Sequence, residues 1–241
     1  MLALLLPPGM ASAAHGGPGI RGCVVLLHGL ARRPASMRKL AAALSDAGYL
    51  VQNHGYPSRR GTVANLAAEV VPDAIRQCDK GTDLPIHFVT HSMGGILLRQ
   101  YLANEKPDTI GRTVMLSPPN HGSELVDKLG RVPGFKLLNG PAGRQLGTGE
   151  RGLPGKLGAA DFEVGVITGS RSLNPFYSLL IPGKDDGKVS IEHARLEGMA
   201  DFLVVPRSHT FIMNSDQVIE QVRHFLAAGR FDVRQNRVET L

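Results

Sequence analysis

The segment P-I-H-F-V-T-H-S-M-G-G-I-L-L-R-Q-Y-L, residues 85–102, contains the pattern that decides the fold. An apolar run at residues 85–89 leads into a turn with a serine, and an amphipathic stretch follows. A strand, a tight turn and a helix in this order are typical of a nucleophile elbow, whose strained turn presents the Ser92 hydroxyl above a sheet. Gly94 and Gly95 suit the close approach of strand and helix, whereas Thr90 replaces the first glycine of the G-x-S-x-G pattern. A serine that merely caps a helix is the alternative interpretation.

Apolar runs alternate with helical patterns along the rest of the chain. Strands are predicted at residues 23–27, 49–53, 86–89, 113–116, 162–167 and 202–205, and helices at residues 36–47, 63–77, 94–104 and 217–227. Strands that are apolar throughout and separated by helices indicate a parallel sheet covered on both faces. We therefore predict an α/β fold with about six mainly parallel strands, in a single domain over residues 21–241.

The segment at residues 117–160 interrupts this alternation. It is rich in glycine and proline, and Val126–Leu129 and Phe135–Leu138 are short amphipathic pieces within it. Because the segment follows a strand, it should lie above the carboxyl edge of the sheet, where open α/β sheets bind ligands. We expect residues 117–160 to form the wall of a substrate pocket or a small lid. An insertion that packs on the sheet without touching a ligand is the alternative.

The chain is basic overall, but its basic residues are not arranged as in a nucleic-acid site. The formal net charge is +6, yet the arginines are scattered, with short pairs such as Arg32-Arg33, and tryptophan is absent. Nucleic-acid sites combine a continuous basic surface with groups that contact bases. We therefore expect no nucleic-acid partner. A mildly cationic surface explains the charge, and no window approaches the length of a transmembrane helix.

The N-terminus, residues 1–20, resembles a tail or a weak export signal. Leu2–Leu6 is a short apolar run, and small residues near Ala13 resemble a cleavage site, although a basic start is lacking. This pattern slightly favours a periplasmic or secreted protein over a cytoplasmic one.

Cys23 and Cys78 are the two cysteines of the chain. Cys23 begins the first predicted strand, and Cys78 ends the helix before the third. If the two strands are neighbours, both cysteines lie at the same rim of the sheet, so a disulfide between them is a geometrically reasonable hypothesis. Two cysteines alone do not make a metal-ligand cluster, and we expect no metal site.

A serine nucleophile needs a base to accept its proton and an acid to orient that base. In a sheet whose serine comes first along the chain, the acid and the histidine should follow later strands. Among nine histidines, His209 fits best because it directly follows the last predicted strand. Asp186 is the candidate acid; it lies in the turn D-D-G, 23 residues before His209. Asp185 is the alternative. Adjacent side chains usually point apart, so only one of the two should face His209.

Two backbone amides are required to stabilise an oxyanion near the nucleophile. One candidate is the amide of Met93, directly after the serine. The other is the amide of Leu30, in the loop His28-Gly29-Leu30 that follows the first predicted strand. Gly29 allows the backbone to turn under a substrate, and we expect His28 to form hydrogen bonds within this loop rather than to react.

Four segments together resemble the α/β-hydrolase superfamily, in particular small bacterial esterases and lipases. They are V-V-L-L-H-G-L, T-H-S-M-G-G, D-D-G-K-V and S-H-T-F-I-M, and they span most of the chain. The resemblance implies Ser92 as nucleophile, Asp186 as acid and His209 as base, with oxyanion donors at Leu30 and Met93. In bacterial triacylglycerol lipases the acid directly precedes the glycine, which favours Asp186 over Asp185. Six strands in place of the usual eight argue against a large cap domain.

The resemblance implies hydrolysis of small-molecule or lipid esters through an acyl-enzyme on Ser92, without a cofactor. A thioesterase, amidase or acyltransferase would use the same residues. A non-catalytic binding protein on this scaffold would typically lack a member of the catalytic set. Transient contact with a membrane surface is a further interpretation, which the basic charge and the apolar residues of segment 117–160 favour.

Overall fold

The centre of the protein is one sheet of six strands. In chain order they are β1 (Cys23–Leu27), β2 (Leu50–His54), β3 (Ile86–His91), β4 (Ile110–Leu116), β5 (Val164–Gly169) and β6 (Asp201–Val205). All neighbouring pairs are parallel, in the order β2-β1-β3-β4-β5-β6. The expected parallel sheet is therefore confirmed.

The computed structural model describes residues 20–79, 84–107, 110–130, 132, 134–149 and 152–232. The export signal and the cleavage site near Ala13 that the sequence suggests lie outside these residues. None of the helices in the described ranges is both long and apolar enough to cross a membrane.

Eight helices follow or flank the strands within the described residues. They are α1 (Arg38–Asp46), α2 (Val63–Cys78), α3 (Met93–Leu102), α4 (Glu124–Leu129), α5 (Phe135–Arg144), α6 (Pro175–Ser178), α7 (Ile191–Ala194) and α8 (Asp216–Ala228). The buried side chains of α1 and α8 pack with one face of the sheet, and those of α2 and α3 pack with the other. The sheet is thus covered on both faces, as the apolar strands require.

Five of the six strands differ in extent from the sequence prediction, and β3 and β5 show the reason. Strand β3 continues through Thr90 and His91, two polar residues that the apolar pattern left out, because both are buried and paired with β4. Strand β5 starts at Val164 instead of Phe162 and extends to Gly169, which pairs with Val205 of β6. In both cases backbone pairing with a neighbour, rather than side-chain polarity, decides where the strand ends.

Cys23 and Cys78 form a disulfide, with their Cα atoms 5.7 Å apart. The hypothesis drawn from the sequence is therefore confirmed. Cys23 begins β1 and Cys78 ends α2, so the bond ties this helix to the amino end of β1. Both cysteines are buried.

We expect the Cys23→Ala/Cys78→Ala variant to lose about 2–4 kcal/mol of unfolding free energy. The bond spans 55 residues, and a cross-link over such a loop restricts the unfolded chain by about this amount. Urea unfolding of the wild type, with and without dithiothreitol, measures the loss. Dithiothreitol should leave the double variant unchanged, and equal unfolding midpoints for the oxidised wild type and the variant would contradict the expectation.

Candidate active site

Ser92 occupies a strained turn between β3 and α3. Its backbone has φ 53° and ψ −122°, and its amide donates a hydrogen bond to the Leu116 carbonyl at 2.9 Å. Such a conformation is costly for a residue with a side chain and lifts that side chain out of the sheet. A Cβ atom at Gly94 would clash with the Leu27 carbonyl oxygen, so only glycine lets α3 approach β1 this closely.

Thr90 stands where the G-x-S-x-G pattern has glycine, and Gly95, across the turn, makes room for its side chain. Its side chain is fully buried, and a Cβ atom at Gly95 would lie 3.1 Å from the Thr90 Oγ1 atom. The absence of a side chain at Gly95 therefore leaves the space that Thr90 fills.

His209 lies in the loop after β6 and connects Ser92 to a buried acid. The His209 Nε2 atom is 3.0 Å from Ser92 Oγ, and His209 Nδ1 is 2.8 Å from Asp186 Oδ2. His209 and Asp186 are buried, whereas Ser92 is partly accessible. Three residues far apart in the sequence thus form one hydrogen-bonded chain.

The turn around Asp186 holds its carboxylate in one orientation. Asp186 Oδ1 accepts hydrogen bonds from the amides of Lys188 and Val189 at 3.0 and 2.9 Å. The Asp186 carbonyl accepts from the His209 amide at 2.9 Å, so acid and histidine are also joined through the backbone. Burial by itself raises the pKa of the Asp186 carboxyl, but the charge and hydrogen bond of His209, together with the Val189 amide, hold that pKa below its ordinary value.

Asp185 faces a different part of the turn. Its Oδ1 atom accepts hydrogen bonds from Ser178 Oγ at 2.9 Å and from the Gly187 amide at 2.7 Å. An isolated antiparallel bridge to Ser190 closes the same turn. The two adjacent aspartates therefore have separate partners, and Asp186 is the one that contacts His209.

The two candidate oxyanion donors come from the start of α3 and from the loop after β1. Met93 is the first residue of α3, so its amide has no acceptor within the helix. Among the described residues, no backbone carbonyl accepts a hydrogen bond from the Leu30 amide. A Cβ atom at Gly29 would lie 3.1 Å from the Ser92 Cβ atom, so the loop after β1 passes directly beside the serine.

His28 forms the local contacts that the sequence suggested. Its Nδ1 atom donates to the Gly29 carbonyl at 2.9 Å, and its ring stacks on Tyr56 with centroids 4.2 Å apart. The Tyr56 hydroxyl donates to the His28 carbonyl. Burial lowers the pKa of His28, which favours the neutral ring at pH 7.

His91 is a residue of this site for which the sequence analysis assigned no role. Its Nε2 atom is 2.9 Å from the His209 carbonyl oxygen and donates to it. Burial, followed by the charge of His209, lowers the pKa of His91 well below the ordinary value, so the ring is neutral at pH 7. His91 therefore fixes the His209 backbone from the residue directly before Ser92. Only its position beside the serine could have suggested this.

A cavity of about 260 Å³ opens beside Ser92 and His209. We call it the Ser92 cavity. Gly29 and Leu30 form part of its wall, and the segment after β4 contributes most of the apolar surface, through Leu125, Val126, Leu129, Phe135, Leu138 and Leu146. The helical pieces expected within residues 117–160 exist as α4 and α5, the second extending to Arg144 across a kink at Gly140.

A sequence profile described as Alpha/beta hydrolase family matches residues 24–233. No curated protein matches the chain.

Several solved structures share the fold. The mature lipase BlEst2 of Bacillus licheniformis superposes with a TM-score of 0.69 at 18% identity, over 91% of this chain and 96% of that one. A monoacylglycerol lipase of Paleococcus ferrophilus gives a TM-score of 0.58 at 18% identity, over 88% and 96%. The phospholipase PlaB of Legionella pneumophila gives a TM-score of 0.64 at 20% identity, over 86% of this chain and 58% of that one.

The profile match covers most of the chain and agrees with the six-stranded parallel sheet. The chain is therefore a member of the Alpha/beta hydrolase family.

Proposed function

We propose that the protein hydrolyses carboxylic esters through an acyl-enzyme on Ser92. The observation that carries the proposal is the hydrogen-bonded chain Ser92–His209–Asp186, with distances of 3.0 and 2.8 Å. A hydroxyl is a weak nucleophile, and a neutral imidazole whose Nε2 accepts its proton is the group that activates it. Asp186 keeps the proton of the resting imidazole on Nδ1, which leaves Nε2 free to accept.

The reaction follows from this arrangement in two halves. Ser92 Oγ attacks the ester carbonyl as His209 Nε2 takes its proton, and the amides of Met93 and Leu30 stabilise the resulting oxyanion. His209 then protonates the departing alcohol, and the carbon–oxygen bond to the alcohol breaks, leaving an acyl-Ser92 ester. Water attacks this ester with His209 again as base, releases the carboxylic acid and restores the Ser92 hydroxyl.

The wall of the Ser92 cavity supports an ester with an apolar acyl part. Six of its side chains, from Leu125 to Leu146, are aliphatic or aromatic, and apolar walls with a few polar groups are usual for small-molecule sites. We propose residues 117–160 as the pocket wall of a single catalytic domain over residues 21–241. The three named structural relatives are a lipase, a monoacylglycerol lipase and a phospholipase, and their names agree with this substrate class.

Exposed apolar side chains beside the cavity favour substrates presented in lipid aggregates. Leu137 and Leu138 of α5 are 86% and 64% exposed, and Phe176 and Leu179, which flank the cavity residue Tyr177, are 64% and 81% exposed. Exposed apolar groups clustered around a site are typical of surfaces that contact lipid or protein. Faster hydrolysis of emulsified than of dissolved esters would support this part of the proposal.

A panel of p-nitrophenyl esters of graded acyl length tests the proposed function, with a matched thioester and anilide of the preferred acyl group. We expect kcat/KM to be highest for the ester. A clear preference for the thioester or the anilide would replace the esterase assignment with a thioesterase or amidase. Absence of turnover of all three substrates would contradict hydrolysis as such.

A further inference from the structure

Two cationic side chains, Arg32 and Lys188, line the Ser92 cavity, and none of the described residues in its wall is acidic. We propose that these two residues bind an anionic group, a carboxylate or a phosphate, that the ester substrate carries near its scissile bond. The inference rests on the proposed function and narrows its substrate class to esters with a negative charge.

Arg32 reaches the cavity from the loop that contains the candidate oxyanion donor Leu30. The residue is half-buried, and its Nη2 atom lies 3.5 Å from the Thr210 carbonyl, next to His209. No carboxylate among the described residues forms an ion pair with Arg32. Its guanidinium therefore has one long hydrogen bond and most of its donors left for a ligand.

Lys188 reaches the same cavity from the turn that contains Asp186, far from Arg32 in the sequence. Its amide donates to Asp186 Oδ1 at 3.0 Å, and its carbonyl accepts from Ser123 Oγ at 2.6 Å, so the backbone of Lys188 is fixed on both sides. Its side chain lines the cavity. Arg32 and Lys188 line the same cavity of about 260 Å³, and desolvation, followed by the charge of Arg32, lowers the pKa of Lys188.

The acid whose charge acts on Lys188 is already engaged. Asp186 contributes an attraction that raises the pKa of Lys188, but its Oδ2 atom is bound to His209 and its Oδ1 atom accepts two amides. Two cations that repel each other without a counter-ion of their own destabilise the free protein. An anionic ligand between the two side chains would remove that cost. The planar guanidinium of Arg32 and the ammonium of Lys188 can both donate hydrogen bonds to carboxylate or phosphate oxygens.

Structural cations of this protein have a different environment. Arg99 is buried and donates to the Asn120 and Gly158 carbonyls at 2.9 and 2.7 Å, and Arg112 pairs with Glu163 at 2.9 Å. Both donate several hydrogen bonds to acceptors of the protein itself. Arg32 and Lys188 instead combine an unsatisfied charge with a position in the wall of the cavity that contains Ser92, which points to a role toward substrate.

The test compares two esters of similar size, p-nitrophenyl pentanoate and the p-nitrophenyl hemiester of succinate, which differ by a carboxylate at the end of the acyl chain. A second pair, 1-butyrylglycerol and its 3-phosphate, places a phosphate on the alcohol side. The measured quantity is the ratio of kcat/KM for the anionic ester to that for its neutral partner. Since both values come from one enzyme preparation, partial loss of folding cancels in the ratio.

We expect this ratio to fall at least about tenfold in Arg32→Gln/Lys188→Gln for one of the two pairs, because a charge-assisted hydrogen bond contributes that much. The pair that responds identifies the side of the ester that carries the anion. Lys188→Glu should lower the ratio further, and added salt should lower it in the wild type. The matched control, Arg33→Gln/Lys184→Gln, removes two exposed cations from the same loops outside the cavity wall and should keep the wild-type ratio.

The outcomes separate the two proposals. If the wild type hydrolyses the neutral esters but the double variant keeps the wild-type ratio for both pairs, the anion site is wrong and the esterase proposal stands. An equal fall of the ratio in the control variant would also overturn it, because net charge rather than the cavity pair would then be responsible. If the wild type hydrolyses none of the four esters, the proposed function itself fails.

Discussion

Ser92→Ala is expected to lower kcat/KM for p-nitrophenyl butyrate by at least about 10⁴-fold without changing the fold. In the proposed mechanism the substitution removes the single atom that attacks the carbonyl and accepts the acyl group, and loss of a nucleophile of this kind costs several orders of magnitude. Alanine is smaller than serine, and Ser92 makes no side-chain contact needed for the elbow, because its amide rather than its hydroxyl bonds Leu116. Unchanged circular dichroism and an unchanged urea midpoint would verify the fold.

Two controls make this expectation specific to Ser92. Ser45→Ala, on the exposed side of α1, should keep wild-type activity and wild-type labelling by a fluorophosphonate, whereas Ser92→Ala should lose the label. Combining Ser92→Ala with His209→Ala should cost little more than either change alone, since residues that act as one unit are not additive. Residual activity of Ser92→Ala above about a tenth of the wild type would contradict a nucleophilic role.

The elbow could be predicted from sequence because its strand, turn and helix are consecutive in the chain. A buried strand, a serine, two glycines and an amphipathic helix lie within residues 85–102, and the close contact that demands Gly94 involves the neighbouring strand β1. The disulfide could be predicted for a similar reason, since a parallel sheet places the start of β1 next to the end of α2.

Other parts of the site depend on contacts that no local pattern shows. His91 and His209 are 118 residues apart, and only the folded chain brings the Nε2 atom of one to the carbonyl of the other. Arg32 and Lys188 meet in one cavity because two loops end at the same edge of the sheet. Family resemblance favoured Asp186 over Asp185 as the acid, whereas the hydrogen bonds of the two side chains follow from the geometry of the turn.

Asp186→Asn is expected to lower kcat for p-nitrophenyl butyrate by about 10⁴-fold. The kcat of Asp185→Asn should stay within about tenfold of the wild-type value. Asp186 Oδ1 accepts from the amides of Lys188 and Val189. An asparagine there would keep its carbonyl oxygen toward these donors and turn its NH₂ group toward His209. The His209 Nδ1 atom would then have to accept, which moves the ring proton to Nε2, where it faces Ser92 as a donor and can no longer take its proton.

Asp185→Asn lacks this consequence, which makes it the matched control. Its Oδ1 atom accepts from Ser178 and Gly187, and an amide oxygen can accept both hydrogen bonds equally well. Kinetics of the two variants should therefore differ by about three orders of magnitude, although they remove the same charge from adjacent positions. Because a misplaced ring proton impairs the chemical step rather than binding, kcat should carry the loss in Asp186→Asn while KM changes little. The reverse order of activities would assign the acid to Asp185, and equal losses would mean that the turn, rather than one carboxylate, supports His209.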